Sequence, residues 1–172
     1  QSLDSGGDNI QLSARYSIPL DGKSNRQREM DFGFDWKSNG SNLEFIDVSN
    51  AQFSNIQLSA SRYEIFQFSL GYNETIQGNK GVTQFDIRGF WSPGDFNNHN
   101  SDAVFQGSRL LSSSDYFYAV GSVEHQRRLY DDWSMRFKAT GQLASANLQA
   151  SEQIGAGGYD SGRGFDQRVA RG

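Results

Sequence analysis

Apolar and polar residues alternate along much of this chain with a period of two. The clearest stretch is 9–20, where the odd positions carry polar residues and one proline. The even positions there are Ile10, Leu12, Ala14, Tyr16, Ile18 and Leu20. Such alternation predicts a β-strand with one apolar face. The length matches the roughly 9 to 11 residues that a tilted strand needs to cross a bilayer.

The alternation recurs and divides the chain into about seven predicted strands. After the first, they cover 30–36, 43–48, 55–72, 82–91, 109–127 and 133–143. A polar turn at 37–42 separates the second strand from the third. Arg62 and Glu64 interrupt the apolar face of 55–72. Either the strand projects above the membrane there or a tight turn splits it in two, and we favour a single strand that projects above the membrane. Neither parity of 109–127 is cleanly apolar, so its facing is left open, and no helix is predicted.

The two faces of these strands differ in the solvent they require. Arg136 and Lys138 share a face, and a dry core could not hold two unpaired cations, whereas a water-filled lumen could. The predicted lumen-facing cations are Arg15, Arg88, Arg136 and Lys138. The predicted lipid-facing residues are Ile10, Leu12, Tyr16, Phe32, Phe34, Phe85, Ile87, Trp133, Met135 and Phe137. The pattern therefore predicts an all-β, antiparallel transmembrane barrel, of which this chain supplies a part.

Composition agrees with this reading and excludes other classes. Hydrophobic residues make up 35% of the chain and aromatic residues 13%, which suits strands with one apolar face and one solvated face. A net charge of −4 gives no basic field for nucleic acid. No apolar run reaches the roughly 18 residues of a membrane-spanning helix. No nucleophile elbow, phosphate loop or cysteine ligand occurs, so we expect neither an enzyme nor a bound metal or cofactor.

Connection lengths and chain ends give two further expectations. The segments 21–29 and 92–107 look long and the other connections short, as at the two ends of a barrel. The first residues lack a basic and then apolar export signal, which suggests that the signal lies outside this sequence and that the sequence is a piece of a longer protein.

Several motifs occur in order along the second half of the chain. Residues 91–100 contain Ser-Pro-Gly, and Arg109 follows. Residues 141–145 and 148–153 contain Gly-Gln and Ser-Glu-Gln, and the last glycine-rich stretch ends in Arg-Gly-Phe at 163–165. Together these motifs resemble the two-partner-secretion transporters, the haemolysin secretion and activation barrels of the Gram-negative outer membrane.

The resemblance implies a sixteen-stranded, monomeric barrel preceded by two POTRA domains and a plug helix. This chain would be one partial barrel domain, 1–172, in which 151–172 is the lid-loop segment. The lid-loop motif residues are Gly157, Gly158, Gly162, Arg163, Gly164 and Phe165, with Gly162 where the family has valine. The resemblance implies that Arg163 pairs with a carboxylate on the inner wall of the barrel. The strand that usually supplies this carboxylate would lie outside this chain, so within the chain Arg163 is expected to be unpaired or to bind Asp160 or Asp166 instead.

The same resemblance implies that the protein exports a large partner polypeptide of haemolysin or adhesin type across the outer membrane, in contact with its lipid. Two other outer-membrane functions stay open, namely a related barrel that inserts membrane proteins and a passive porin. A soluble β-sandwich that binds carbohydrate or protein is disfavoured, because it would bury the cationic faces or leave the aromatic faces bare.

Overall fold

The computed structural model describes residues 2–20, 24–46, 55–130, 133–156 and 170–171, with side chains at 6–20, 24–40, 62–130 and 133–155. Its strands are β1 (Ser2–Leu20), β2 (Arg26–Ile46), β3 (Asn55–Gln77), β4 (Gly81–Pro93), β5 (Asp115–Tyr130), β6 (Trp133–Ala144), β7 (Gly155–Ala156) and β8 (Ala170–Arg171). One helix, α1, spans Asp102–Ser108. Strands β1 to β6 form one antiparallel sheet in sequence order, and β7 pairs with β8. The all-β antiparallel prediction is confirmed, although the sheet is not closed within the described residues.

The register of the sheet sorts the predicted residues onto its two faces. Phe34 pairs with Phe68, which pairs with Trp91, and the ladder continues to Phe117. Because side chains directly opposite one another share a face, all ten predicted lipid-facing residues lie on one side, called the outer face. The four predicted lumen-facing cations lie on the other side, called the inner face.

Strand β2 differs from its prediction because it is continuous. The segment predicted as a turn, 37–42, pairs with β1 on one side and with β3 on the other. Ladder hydrogen bonds on both edges outweigh the turn preference of Ser, Asn and Gly. The predicted strand 43–48 is consequently the end of β2, which reduces seven strands to six, whereas β3 is the single long strand that the sequence favoured.

The connections correct three further predictions. Residues 26–28 already pair with β3, so the connection after β1 is short rather than long. Strand β5 begins at Asp115 instead of near residue 109. The long connection is 94–114, and it contains α1, although no helix was predicted. One helical turn or two surrounded by polar loop residues leaves too few apolar positions for a periodic pattern.

The buried core lies on the inner face at the end of the sheet where β4 ends and β5 begins. Its members come from β3, α1, β5 and the segment after β6: Ile65, Phe105, Tyr116, Tyr118 and Leu148. Within the described residues the outer face has no comparable buried cluster, and Tyr16 is 68% exposed there. Within the described residues, no helix has both the length and the apolarity that crossing a membrane requires.

Candidate functional site on the inner face of the sheet

Residues 145–154, called the lid base, leave β6 and fold back across the inner face. Gln142 on β6 holds their far end with both atoms of its amide group. Its Nε2 donates to the carbonyl oxygen of Glu152 at 2.7 Å, and its Oε1 accepts from the backbone nitrogen of Ile154 at 3.0 Å. One amide side chain thereby imitates a strand partner for the lid base.

Glu152 anchors the lid base to the sheet. Its side chain is 1% exposed, and Lys37 donates from Nζ to Oε1 at 2.7 Å and to Oε2 at 3.0 Å. Oε2 also accepts from the hydroxyl of Tyr118 at 2.8 Å and from Nε2 of Gln67 at 3.1 Å. A carboxylate is a pure acceptor with about four lone-pair sites. Three of these contacts reach Oε2 and one reaches Oε1, so both oxygens accept from protein donors.

A second carboxylate, that of Asp35, shares Gln67 with Glu152 and also accepts hydrogen bonds from residues of β1. Nη2 of Arg15 donates to its two oxygens at 2.7 and 2.8 Å, and the hydroxyl of Ser13 donates at 2.6 Å. Nε2 of Gln67 reaches Asp35 at 3.3 Å and so bridges the two carboxylates. Gly33 leaves the space for this, because a Cβ there would lie 2.6 Å from Nη1 of Arg15.

The other predicted lumen-facing cations also meet carboxylates on the inner face. Arg88 donates to Asp31 at 2.7 Å, passing over Gly71 in the strand between them. Arg136 pairs with Glu124 at 2.7 Å and stays 63% exposed. Lys138 lies opposite Glu124 in the ladder and is exposed. Arg136 is therefore both paired and exposed, and its exposure agrees with a solvated face.

A cavity of about 310 Å³ lies beside the lid base and is lined both by it and by the sheet. Both signs of charge line it, with Arg15, Lys37 and Arg88 on one hand and Asp35, Asp86 and Glu152 on the other. Such a balanced lining gives no net field to select a cation or an anion. Among the described residues, no group of three or more His, Asp or Glu could hold a metal ion.

The predicted motif at the lid tip falls outside the described residues. This applies to Gly157, Gly158, Gly162, Arg163, Gly164 and Phe165, and also to the substitute partners Asp160 and Asp166. The described flanks of that segment do pair, with Gly155 opposite Arg171 and Ala156 opposite Ala170. The roles proposed for the motif residues thus stay predictions.

Sequence reasoning missed the residues that hold Glu152. Lys37 was assigned to a turn, and the facing of the strand that contains Tyr118 was left open. Parity offered one usable signal, since Lys37 and Gln67 fall on the same alternation as Asp35, the wet face. Extending that alternation through 37–42 would have placed Lys37 on the inner face.

These features define a class of protein. On β2 the apolar outer band runs from Met30 to Trp36, about 20 Å at 3.3 Å per residue. An apolar band of this order outside and charged, hydrogen-bonded residues inside are typical of a segment of a transmembrane β-barrel. The family model described as "Haemolysin secretion/activation protein ShlB/FhaC/HecB" matches residues 1–172, and the chain belongs to that family. Neither the search of curated proteins nor that of solved structures found a match.

Proposed function

We propose that the intact protein is an outer-membrane translocator that exports a large partner polypeptide of haemolysin or adhesin type through its lumen. The observation that carries this proposal is the lid base, which the Glu152 contacts hold on the charged inner face of a sheet whose other face is apolar. Membership of the haemolysin secretion/activation family supports the same function.

The pairing of charges on the inner face suits the passage of a polypeptide. Arg15, Arg88, Arg136 and Lys37 each donate to a carboxylate of the same chain. A passing chain would have to compete with these short ion pairs, so no single segment of it would be held tightly. Transport requires binding that is weak enough for release. We expect the energy for export to come from the partner folding outside the cell.

To test export, the gene that encodes the full-length protein would be deleted, and the deletion strain would be complemented with the intact gene. We expect the partner polypeptide to disappear from the medium and to return on complementation. Unchanged partner in the medium would refute export. A general fall in other outer-membrane proteins would indicate insertase activity instead, and loss of small-solute uptake with normal partner secretion would indicate a porin.

We predict that Arg163→Ala in the full-length protein reduces secretion severely and leaves barrel insertion largely intact. A guanidinium paired with an inner-wall carboxylate is partly desolvated, and breaking such a pair typically costs about 3 to 5 kcal/mol. Among the described inner-face carboxylates, Asp86 lines the cavity beside the lid base and forms no ion pair. We therefore propose Asp86 as the ion-pair partner of Arg163.

The control is Arg168→Ala, which removes an equal charge from the same segment outside the Arg-Gly-Phe motif. Partner secretion and the heat-modifiable mobility of the barrel would be measured for both variants. Secretion by Arg163→Ala within twofold of wild type would return Arg163 to an ordinary solvated loop residue.

A further inference from the structure

The connection 94–114, called the clamp loop, runs alongside β3 beyond the point where β4 ends. Strand β4 pairs with β3 only from Phe68 onward, which leaves the adjoining edge of β3 without a strand partner on that side. The clamp loop pairs with this edge at Glu64, whose backbone nitrogen donates to the carbonyl oxygen of His99 at 2.9 Å. Nδ2 of Asn100 donates to the carbonyl oxygen of Glu64 at 2.8 Å. At Glu64 the exposed backbone groups of the sheet edge are thereby satisfied.

Helix α1 of the clamp loop inserts one aromatic side chain into the core on the inner face. Phe105 is fully buried, and its ring meets that of Tyr63 edge-on at 5.8 Å between centroids. Leu148 of the lid base belongs to the same buried cluster. The core of the inner face therefore joins three parts, the sheet, the clamp loop and the lid base.

Polar contacts tie the clamp loop to the lid base directly. Nε2 of Gln149 donates to the carbonyl oxygen of Phe105 at 3.1 Å and to the hydroxyl of Ser112 at 3.2 Å. Asn147 forms a parallel bridge with Ser112, and its Nδ2 donates to the carbonyl oxygen of Leu110 at 3.3 Å. Gln149 is 3% exposed, so losing these bonds would leave a buried amide without partners.

The return of the clamp loop to β5 is also fixed. The carboxylate of Asp102 accepts from the backbone nitrogen of Ser114 at 2.7 Å, and from the hydroxyls of Ser113 and Ser114 at 2.9 Å. These bonds close the loop on itself, and the hydroxyl of Ser92 at the end of β4 donates to the carbonyl oxygen of Ser114 at 2.7 Å. The loop is consequently held at β3, at β4 and in the core.

We propose that the clamp loop is a positioning element which holds the lid base on the inner face, and that export requires the two to separate. The second half of this inference rests on the proposed function, whereas the first half does not. Glu152 fixes the far part of the lid base to the sheet, and Phe105 with Ser112 fixes its near part to the clamp loop. Release of the lid base from the inner face then depends on the clamp loop.

Hydrogen exchange on the full-length protein in lipid nanodiscs tests the positioning. We expect Phe105→Ala to accelerate exchange of the amides of 147–153 by about 100-fold, because truncating a buried aromatic opens the segment that packs on it. Leu110→Ala is the matched control, since that side chain lies in the same loop and is 78% exposed. We expect its exchange to stay within twofold of wild type. Faster exchange in 94–114 alone, with 147–153 unchanged, would overturn the proposal.

A second variant covers the case in which Phe105→Ala does not insert. Gln149→Ala keeps the aromatic and removes only the polar contacts, and we expect a smaller acceleration, about tenfold, in the same amides. Unchanged exchange in this variant, when Phe105→Ala fails to insert, would also overturn the positioning role.

A reversible cross-link tests the separation during export. Residues 1–172 contain no cysteine, so in a full-length background freed of any other cysteine Ser112→Cys with Asn147→Cys introduces a single bridge between residues that lie side by side. We expect oxidation to stop partner secretion by the double variant and a reductant to restore it, while oxidation leaves the secretion of either single variant at its own unoxidised level. Normal secretion by the oxidised double variant would refute separation. Absence of secretion even by wild type would instead refute export and leave the hydrogen-exchange result standing.

Discussion

Neutralising Glu152 gives the sharpest quantitative prediction. In Glu152→Gln the side chain keeps its shape, but the ammonium group of Lys37 loses both of its carboxylate contacts, at 2.7 and 3.0 Å. The hydroxyl of Tyr118 and the amide of Gln67 lose a charged acceptor as well. The lid base then stays attached by the two hydrogen bonds of Gln142 to its backbone and by the clamp loop.

The size of the effect follows from how deeply the pair is buried. Removing one partner of a buried ion pair costs about 3 to 5 kcal/mol, because the other charge is left without compensation. Lys37 is 17% exposed and can regain some water, so we take the lower end, about 3 kcal/mol. At about 1.4 kcal/mol per factor of ten, detachment of the lid base becomes about 100-fold more frequent.

Cysteine labelling measures this detachment directly in a background without other cysteines, since residues 1–172 contain none. Ile154→Cys places one partly buried thiol in the lid base, and we expect Glu152→Gln to raise its maleimide labelling rate by about 100-fold. Arg136→Gln is the control, because it breaks an ion pair whose arginine is 63% exposed. Exposed pairs are worth about 0 to 1 kcal/mol, so labelling should rise less than about fivefold.

A compensating substitution separates the charge effect from simple loss of packing. Adding Lys37→Met to Glu152→Gln removes the uncompensated cation, and replacing both members of a buried pair is often nearly neutral. We therefore expect the double variant to recover most of the protection. Equal labelling of wild type and Glu152→Gln, or no recovery in the double variant, would refute the assignment of Glu152 as the anchor.

Two further predictions concern the sheet and the clamp loop. Gly71→Ala should destabilise the sheet by about 1 to 3 kcal/mol in thermal unfolding, because the new Cβ would lie 2.7 Å from Cγ of Asp31. Gly141→Ala, with open space at its Cβ, should change stability by no more than about 0.5 kcal/mol, and equal effects would contradict this steric account. The backbone N–H of Ser114 is the main donor that holds the pKa of Asp102 below its ordinary value of about 3.9, and the hydroxyls of Ser114 and Ser113 lower this pKa further. This stabilisation should be complete above that value and be lost as the pH falls through the lower folded pKa. The protection of the Ser114 amide, measured relative to its intrinsic exchange rate, should therefore fall only in acid, and Asp102→Asn should abolish that pH dependence.

The sequence alone determined which residues share a face. Side chains alternate across a strand whatever the rest of the chain does. The alternation of 9–20 and of 133–143 therefore placed Tyr16 and Phe137 on the outer face, and Arg15 and Arg136 on the inner face, before any partner strand was known. The order of the motifs likewise indicated the family, which the match over the whole chain confirms.

Only the tertiary structure decided what interrupts or overrides this local pattern. The turn-like residues 37–42 are strand because both edges of β2 find partners there. The facing of β5, ambiguous from its aromatic residues at both parities, is set by hydroxyls that need acceptors. Tyr116 donates to Oε1 of Gln67 at 3.1 Å, and Tyr118 donates to Glu152.

The anchor itself depends on distance in sequence. Lys37 and Glu152 are 115 residues apart, and Arg88 and Asp31 are 57 apart. Periodicity reports only what lies within a few residues, so it could assign each charge to a face but not to a partner. The strand order and register bring those charges together, and both are properties of the assembled sheet. For the same reason a short helix with a single buried Phe105 left no pattern in the sequence, although it holds the lid base in place.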